Sequence, residues 1–229
     1  MLTVAILAGG LATRLRPLTD DTPKALIEIN GKPFLHHQLT LLRDRGLTRV
    51  VLCVGYRDQQ IRTYAGDGSR FGLEIEYSSD GPVLLGTGGA IRRALPLLGT
   101  EFMVLYGDSY LPCDYARIEE CFQRSSKQGL MTVFRNQGLW DSSNVEFFEG
   151  RILSYEKIVR TERMRHIDYG LGAFRSSVFK ALPEGQPCDL AGIYQDLLRR
   201  DELAAFEVEE RFYEIGSYEG IRELSEFLS

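Results

Sequence analysis

The stretch Leu7-Ala8-Gly9-Gly10-Leu11-Ala12-Thr13-Arg14-Leu15-Arg16-Pro17, continued by Thr22-Pro23-Lys24, decides how this 229-residue chain is read. It follows an apolar run, residues 2–7, that predicts a buried strand bounded by a glycine turn. Two adjacent glycines allow close backbone approach to a ligand and leave amides free for anionic oxygens. Arg14, Arg16 and Lys24 add three cations. Pro17 and Pro23 break any continuous helix, which predicts a long ordered loop. Glycine amides, fixed prolines and cations together describe a cradle for a polyphosphate.

The spacing excludes two familiar phosphate loops. A P-loop ends in Gly-Lys-Ser/Thr, which is absent here. A dinucleotide-binding turn needs G-x-G-x-x-G opening a helix and an acid after the second strand, but Ala12 interrupts the glycines and the second strand ends in Gly55-Tyr56.

Outward from the loop, residues 50–54, 73–77 and 102–106 read as further core strands. Helical spacing falls between them, at Leu35, Leu39 and Leu42, at residues 59–64, and at Ile91, Leu95 and Leu98. Strands alternating with helices predict an α/β fold with a doubly wound, mainly parallel sheet. Gly107-Asp108-Ser109 stands at the end of the fourth strand. With a strand order of 3-2-1-4, Asp108 and the glycine loop share the crevice at the carboxyl ends of the strands. A carboxylate beside a triphosphate cradle suits Mg²⁺, which takes oxygen ligands from one or two carboxylates plus phosphates. An Asp in an ordinary turn is the other reading of Asp108.

Past residue 110 the alternation weakens. Residues 118–122 read as helix and 130–134 as strand, and 144–148 pairs with 152–155 through a Glu149-Gly150 turn, so this half is predicted to be mixed sheet. One domain, 1–229, is expected, with a nucleotide-binding half (1–110) and an acceptor half (111–229).

Bulk properties narrow the partners. A net charge of −5 gives no electrostatic case for nucleic acid or an anionic membrane surface. Four cysteines without C-x-x-C or zinc-like spacing suit reduced thiols. No charged-then-apolar leader precedes the first strand, which predicts a cytoplasmic protein.

Leu7 to Arg16 with Pro23-Lys24 resemble the signature of the sugar-1-phosphate nucleotidylyltransferases, or NDP-sugar pyrophosphorylases, usually written G-G-x-G-T-R-L-x-P with a downstream P-K. Ala12 stands where glycine is usual. The resemblance runs along nearly the whole chain and implies a Rossmann-like nucleotide-diphospho-sugar transferase fold. It implies transfer of a nucleoside monophosphate from an NTP to a sugar 1-phosphate with release of pyrophosphate. It places Leu7, Ala8, Gly9, Gly10, Thr13 and Arg14, with Thr87, Gly88 and Gly89 of the Gly-Thr-Gly-Gly block, at the nucleotide. Arg14, Lys24 and Asp108 are the implied catalytic set.

Asn144, Glu156, Lys157, Tyr169 and Gly170, together with Asp108, are assigned to the sugar phosphate. Glu156-Lys157 matches a Glu-Lys pair whose usual following proline is here Ile158, and Tyr169-Gly170 falls at a segment usually written Asn-Ala-Gly. Glu214 stands where the family has an Asp as second metal ligand, making Asp108 and Glu214 the Mg²⁺ pair; a strand-end Glu before a helix cap at Ser217 is its other reading. No repeat follows the last helix, so the chain reads as a catalytic core without an appended β-helix.

The nucleobase and sugar stay open. Similarity leans to GTP with a mannose- or heptose-type 1-phosphate, with UTP or CTP and a hexosamine phosphate or phosphocholine-like acceptor as alternatives. A silent nucleotide-sugar-binding module is a further one. A homo-oligomer is compatible with the sequence.

Overall fold

Thr3–Leu7 forms β1, the strand around which the sheet is built. Val4 and Ile6 pack on one face and Ala5 on the other, and all three are fully buried. A strand covered on both faces has no polar side to show, which is why its sequence is an unbroken apolar run. The computed structural model describes residues 1–81 and 83–229.

The chain continues through α1 (Phe34–Asp44), β2 (Arg49–Val54), α2 (Asp58–Ala65), β3 (Glu74–Ser79), α3 (Gly86–Leu98) and β4 (Glu101–Tyr106). These strands lie in the order β3-β2-β1-β4, all parallel. The expected order 3-2-1-4 is therefore the observed one, with the switch point between β1 and β4. Between β1 and α1 the long loop is ordered by two single helical turns, Thr13–Leu15 and Lys24–Leu26, and by a two-residue ribbon of Glu28–Ile29 with Lys32–Pro33.

The second half adds α4 (Tyr115–Ser125), β5 (Gly129–Arg135), β6 (Val145–Phe148), β7 (Arg151–Tyr155), β8 (His166–Arg175), α5 (Ser177–Lys180), α6 (Leu190–Arg199), β9 (Leu203–Val208) and α7 (Tyr218–Phe227). β8 runs antiparallel beside β4, from Leu171 opposite Leu105 to Arg175 opposite Glu101. Its other edge carries β5 and then β9, while the β6–β7 hairpin joins it near His166. The hairpin turns at Glu149 and Gly150, both at positive φ as a two-residue turn requires. One nine-stranded mixed sheet thus runs across residue 110.

Two apolar layers cover the sheet. The α1, α2 and α4 side packs on Val4, Leu52 and Leu105, and the α3 and α6 side on Ala5, Val104 and Phe174. A smaller cluster under α7 joins Leu15, Ile27 and Phe34 to Ile215 and Leu224. It ties the long loop to the end of the chain, and so brings Glu214 toward the glycines.

Candidate active site

The carboxyl ends of β1 and β4 open into a cleft of about 770 Å³. Gly107 makes the junction: a Cβ there would lie 2.1 Å from the Leu7 carbonyl oxygen. Without one, the two strand ends touch and Asp108 emerges beside the glycine loop. Gln38, buried on α1, donates from Nε2 to the carbonyls of Tyr106 (3.2 Å) and Ser109 (2.9 Å), bracketing Gly107-Asp108 from beneath.

Ser109–Tyr110 pairs with Tyr213–Glu214 as a two-stranded ribbon with Glu214 opposite Ser109, and the Ile215 amide donates to the Asp108 carbonyl at 2.9 Å. Both carboxylates line the cleft. Burial pushes the Glu214 carboxyl up, and the negative charges of Asp108 and Asp141 push it further against the opposing pull of Lys24 and Arg14. Lys24 Nζ donates to Asp108 Oδ2 at 2.5 Å. A Cβ built on Gly216 would lie 3.4 Å from both Arg14 Nη2 and Glu214 Oε1, which places that guanidinium at the same end of the cleft.

Arg16 departs from the expectation of three cradle cations. Its guanidinium pairs with Asp20 at 3.3 Å on the surface and it is absent from the cleft wall.

The glycine loop itself lines the cleft from Leu7 to Arg14. The Ala8 amide donates to the Cys53 carbonyl (2.8 Å) and the Gly9 carbonyl accepts from Tyr56 (3.3 Å), fixing the loop to β2. Among the described residues no backbone or side-chain acceptor takes the amides of Gly9 and Gly10. Ala12 lies in the left-handed region at φ 48°, ψ 42°. Its carbonyl accepts from the Leu15 amide (3.1 Å) and Thr19 Oγ1 (3.0 Å), which hold it there.

An L-residue in that region costs roughly 1–2 kcal/mol, which accounts for glycine being usual at this point of the motif. Ala12→Gly is expected to raise stability by about 0.5–1 kcal/mol, the relieved strain less the added freedom of the unfolded chain. Denaturant unfolding checks this, and an unchanged or lower midpoint contradicts it.

The Gly-Thr-Gly-Gly block requires a correction. The amides of Gly88 and Gly89 are not free for a ligand, because both donate to the Cys188 carbonyl (2.9 and 3.3 Å). These glycines also admit α6 and the segment before it, since a Cβ on Gly88 would meet Ile193 at 2.8 Å and one on Gly89 would meet the Gln186 carbonyl at 2.8 Å. Neither lines the cleft. Thr87 does, and its hydroxyl donates to Asp189 Oδ1 (3.2 Å) while accepting from the Leu190 amide (2.8 Å).

Asn144, Lys157, Tyr169 and Gly170 also line the cleft. The Tyr169 ring turns into the core against Phe134 and Phe212. Lys157 Nζ donates to both oxygens of Asp189 (2.9 and 2.8 Å). Burial acts to raise the Asp189 carboxyl, but Lys157, the Ala191 amide and the Thr87 hydroxyl outweigh it and hold it below its ordinary value.

Glu156 is the second correction. Its carboxylate accepts from Gln195 Nε2 (3.0 Å) and faces a groove on the other side of the β7 end, lined by Arg151 and Phe206. The strand ends at Tyr155, and past it the two side chains part, Glu156 to the groove and Lys157 to the cleft.

The structure also adds groups to the cleft wall that sequence reading passed over: Asp141, which presses on Glu214, and Asp168, set among tyrosine hydroxyls. Among the described residues no three His, Cys, Asp or Glu side chains gather into a metal cage, and no helix is long and apolar enough to cross a membrane.

The parallel part of this mixed sheet, with a glycine loop, two cations and a carboxylate pair at its switch point, marks an α/β protein with its cleft at the strand ends. Comparison with known proteins makes the class specific: the nucleotidyl transferase family model matches residues 3–142, and the chain belongs to that family of enzymes. It is 32% identical to the N-acetylmuramate alpha-1-phosphate uridylyltransferase of Neisseria meningitidis serogroup B, over 87% of this chain and 86% of the relative. It is 39% identical to the D-glycero-alpha-D-manno-heptose 1-phosphate guanylyltransferase of Campylobacter jejuni, over 50% of this chain and 51% of the relative.

The chain spans about half the length of several of the curated relatives it matches. Its backbone superposes on the crystal structure of HddC from Yersinia pseudotuberculosis complexed with GMP-PN with a TM-score of 0.82, at 25% identity and over all of both chains.

Proposed function

We propose that this chain transfers a nucleoside monophosphate from an NTP to a sugar 1-phosphate, releasing pyrophosphate. The observation that carries the reading is the meeting of Arg14, Lys24, Asp108 and Glu214 at the carboxyl ends of β1 and β4, with the acceptor wall of Asn144, Lys157 and Gly170 across one cleft. The acceptor phosphate brings its own nucleophilic oxygen, so the protein's task is to position two phosphates in line and neutralise charge at the α-phosphorus.

The free amides of Gly9 and Gly10 meet the triphosphate, and Arg14 bridges its oxygens as charge builds in the transition state. Lys24 serves the α-phosphate and the incoming phosphate, and Lys157 orients the acceptor. Asp108 and Glu214 fit a Mg²⁺ ion, because both carboxylates line the cleft and Glu214, raised by burial and then by the charges of Asp108 and Asp141, is favoured as an anion by a further cation. When bound, the ion neutralises the triphosphate.

GTP and a mannose- or heptose-type 1-phosphate are the favoured pair, supported by the heptose-phosphate guanylyltransferase relative and by the solved neighbour with GMP-PN. Uridylyl transfer is the second reading, supported by the relative from Neisseria, which matches over more of the chain. Pyrophosphate release is the test, with GTP, UTP, CTP and dTTP each paired with a panel of sugar 1-phosphates in Mg²⁺. Turnover with GTP and a manno-configured acceptor is expected, and nucleotide binding without turnover of any pair refutes transfer.

A further inference from the structure

Asp168 sits inside an otherwise apolar stretch of β8, on the acceptor wall of the cleft. Its Oδ2 accepts from the hydroxyls of Tyr106 (2.8 Å) and Tyr155 (3.2 Å), and its Oδ1 from the Gly170 amide (3.1 Å). Its own amide donates to Asn144 Oδ1 at 3.0 Å, so the residue is fixed at both backbone and side chain. Burial pushes its carboxyl up, while the two hydroxyls, the amide and the more distant Lys157 oppose that shift.

The two tyrosine hydroxyls and the Gly170 amide find their acceptor in this side chain, which holds it rigidly at the cleft wall. An ionised carboxylate offers about four acceptor positions, and three are taken by the protein. Asp168 lines the cleft and is partly exposed there.

The charge balance of the cleft sharpens what this position can accept. Among the described lining residues, Arg14, Lys24 and Lys157 are the cations, against Asp80, Asp108, Asp141, Asp168 and Glu214. Arg14 and Lys24 stand with the Asp108–Glu214 pair, and Lys157 is held by Asp189 beside the acceptor wall. All three have work to do on phosphates. No cation is left for a further anion on the acceptor, and an anion against Asp168 meets a like charge in a partly desolvated site.

We propose that Asp168 selects the acceptor by charge: the site takes a 1-phosphate whose ring presents hydroxyl or amine donors to this carboxylate and rejects one whose ring carries a carboxylate of its own. This rests on the reading of the cleft as a sugar-phosphate nucleotidyltransferase site, and it deepens that reading from a family of acceptors to neutral and amino sugars. Selectivity built on an unpaired like charge is a repulsive device, so removing the charge relaxes it from the side of the excluded ligand.

The test is calorimetric binding of mannose 1-phosphate, glucosamine 1-phosphate, glucuronic acid 1-phosphate and N-acetylmuramic acid 1-phosphate. The full chain is held with Mg²⁺ and a non-hydrolysable NTP. The wild type is expected to bind the first two at least about tenfold more tightly than the two acids. Asp168→Asn is expected to narrow that gap to about threefold, by tightening the acids and weakening the amino sugar, and Asp168→Glu to restore the order. Melting curves for both variants check that the fold persists.

A wild type that binds either acid as tightly as mannose 1-phosphate overturns the proposal, as does an Asp168→Asn protein with the wild-type gap. Failure of every sugar 1-phosphate to bind beside the nucleotide instead overturns the activity reading itself, and the selectivity with it.

Discussion

Alanine at Arg14 or at Lys24 is expected to lower turnover by about 10²–10⁴-fold while leaving the fold in place, the range seen when a preorganised charge is taken from a transferring phosphoryl group. Arg14 is exposed in the cleft lining and, among the described residues, holds no ion pair, so its loss removes little from the folded state. Lys24 is more enclosed, and its removal leaves Asp108 without its 2.5 Å partner. The carboxylate keeps about a third of its surface in water, which limits the structural cost.

The two variants separate by substrate. Arg14→Ala is expected to act through the triphosphate and fall in kcat. Lys24→Ala is expected to act through both phosphates and fall in kcat with a rise in the acceptor KM. Arg14→Lys is expected to recover only part of the loss, because an ammonium cannot match the planar fork of a guanidinium. Steady-state kinetics beside thermal melting decides, and a near-wild-type kcat in either alanine variant contradicts the assignment.

Gly107→Ala is the change with the largest expected effect on folding. The added methyl would stand 2.1 Å from the Leu7 carbonyl oxygen and 3.0 Å from the Ala8 Cα, atoms of the backbone that cannot rotate away. Relief requires β1 and β4 to part at their carboxyl ends, where both are paired through Leu7 and Tyr106. A cost of about 3–4 kcal/mol is expected, beyond the usual penalty of an overfilled core because main chain must move. The same displacement carries Asp108 from the glycine loop, so the residual folded protein is expected to be inactive. Urea unfolding of the variant beside the wild type checks the first part, and a loss below about 1 kcal/mol contradicts the close approach.

How much of this was legible beforehand follows from what repeats. β1 to β4 announce themselves by length, apolar continuity and intervening helical spacing, and right-handed crossovers leave few ways to order them. Asp108 was found for the same reason: it stands one turn past a strand, at a place the topology marks. Glu214 was placed by likeness to a motif, and the ribbon of Tyr213–Glu214 with Ser109–Tyr110 that brings it to Asp108 pairs two residues with two, too short to leave a pattern.

The residues passed over share a different property. Gln38, Asp168 and Asp189 are single polar groups whose partners lie in distant segments, such as Tyr106 and Ser109 for Gln38 and Thr87 and Lys157 for Asp189. Asp168 did carry a local signal, a charge inside a ten-residue strand whose other members are mostly apolar. Strand alternation puts it on the side opposite its neighbour Tyr169, whose ring enters the core. The glycines at 88 and 89 misled for the opposite reason: a glycine-rich helix start looks the same whether it serves a ligand or a neighbouring chain segment, and here Cys188 takes the amides.

The sequence contains one tryptophan, Trp140. Its indole lies under the Arg211 guanidinium, 3.3 Å from ring centroid to Cζ, on a short loop pinned by Asn136, and the next residue, Asp141, reaches the cleft. Arg211 in turn covers Tyr213, the neighbour of Glu214. All the tryptophan emission of this chain therefore arises from one spot wired to the Glu214 end of the cleft, and the unlabelled protein carries its own optical gauge of what occupies it.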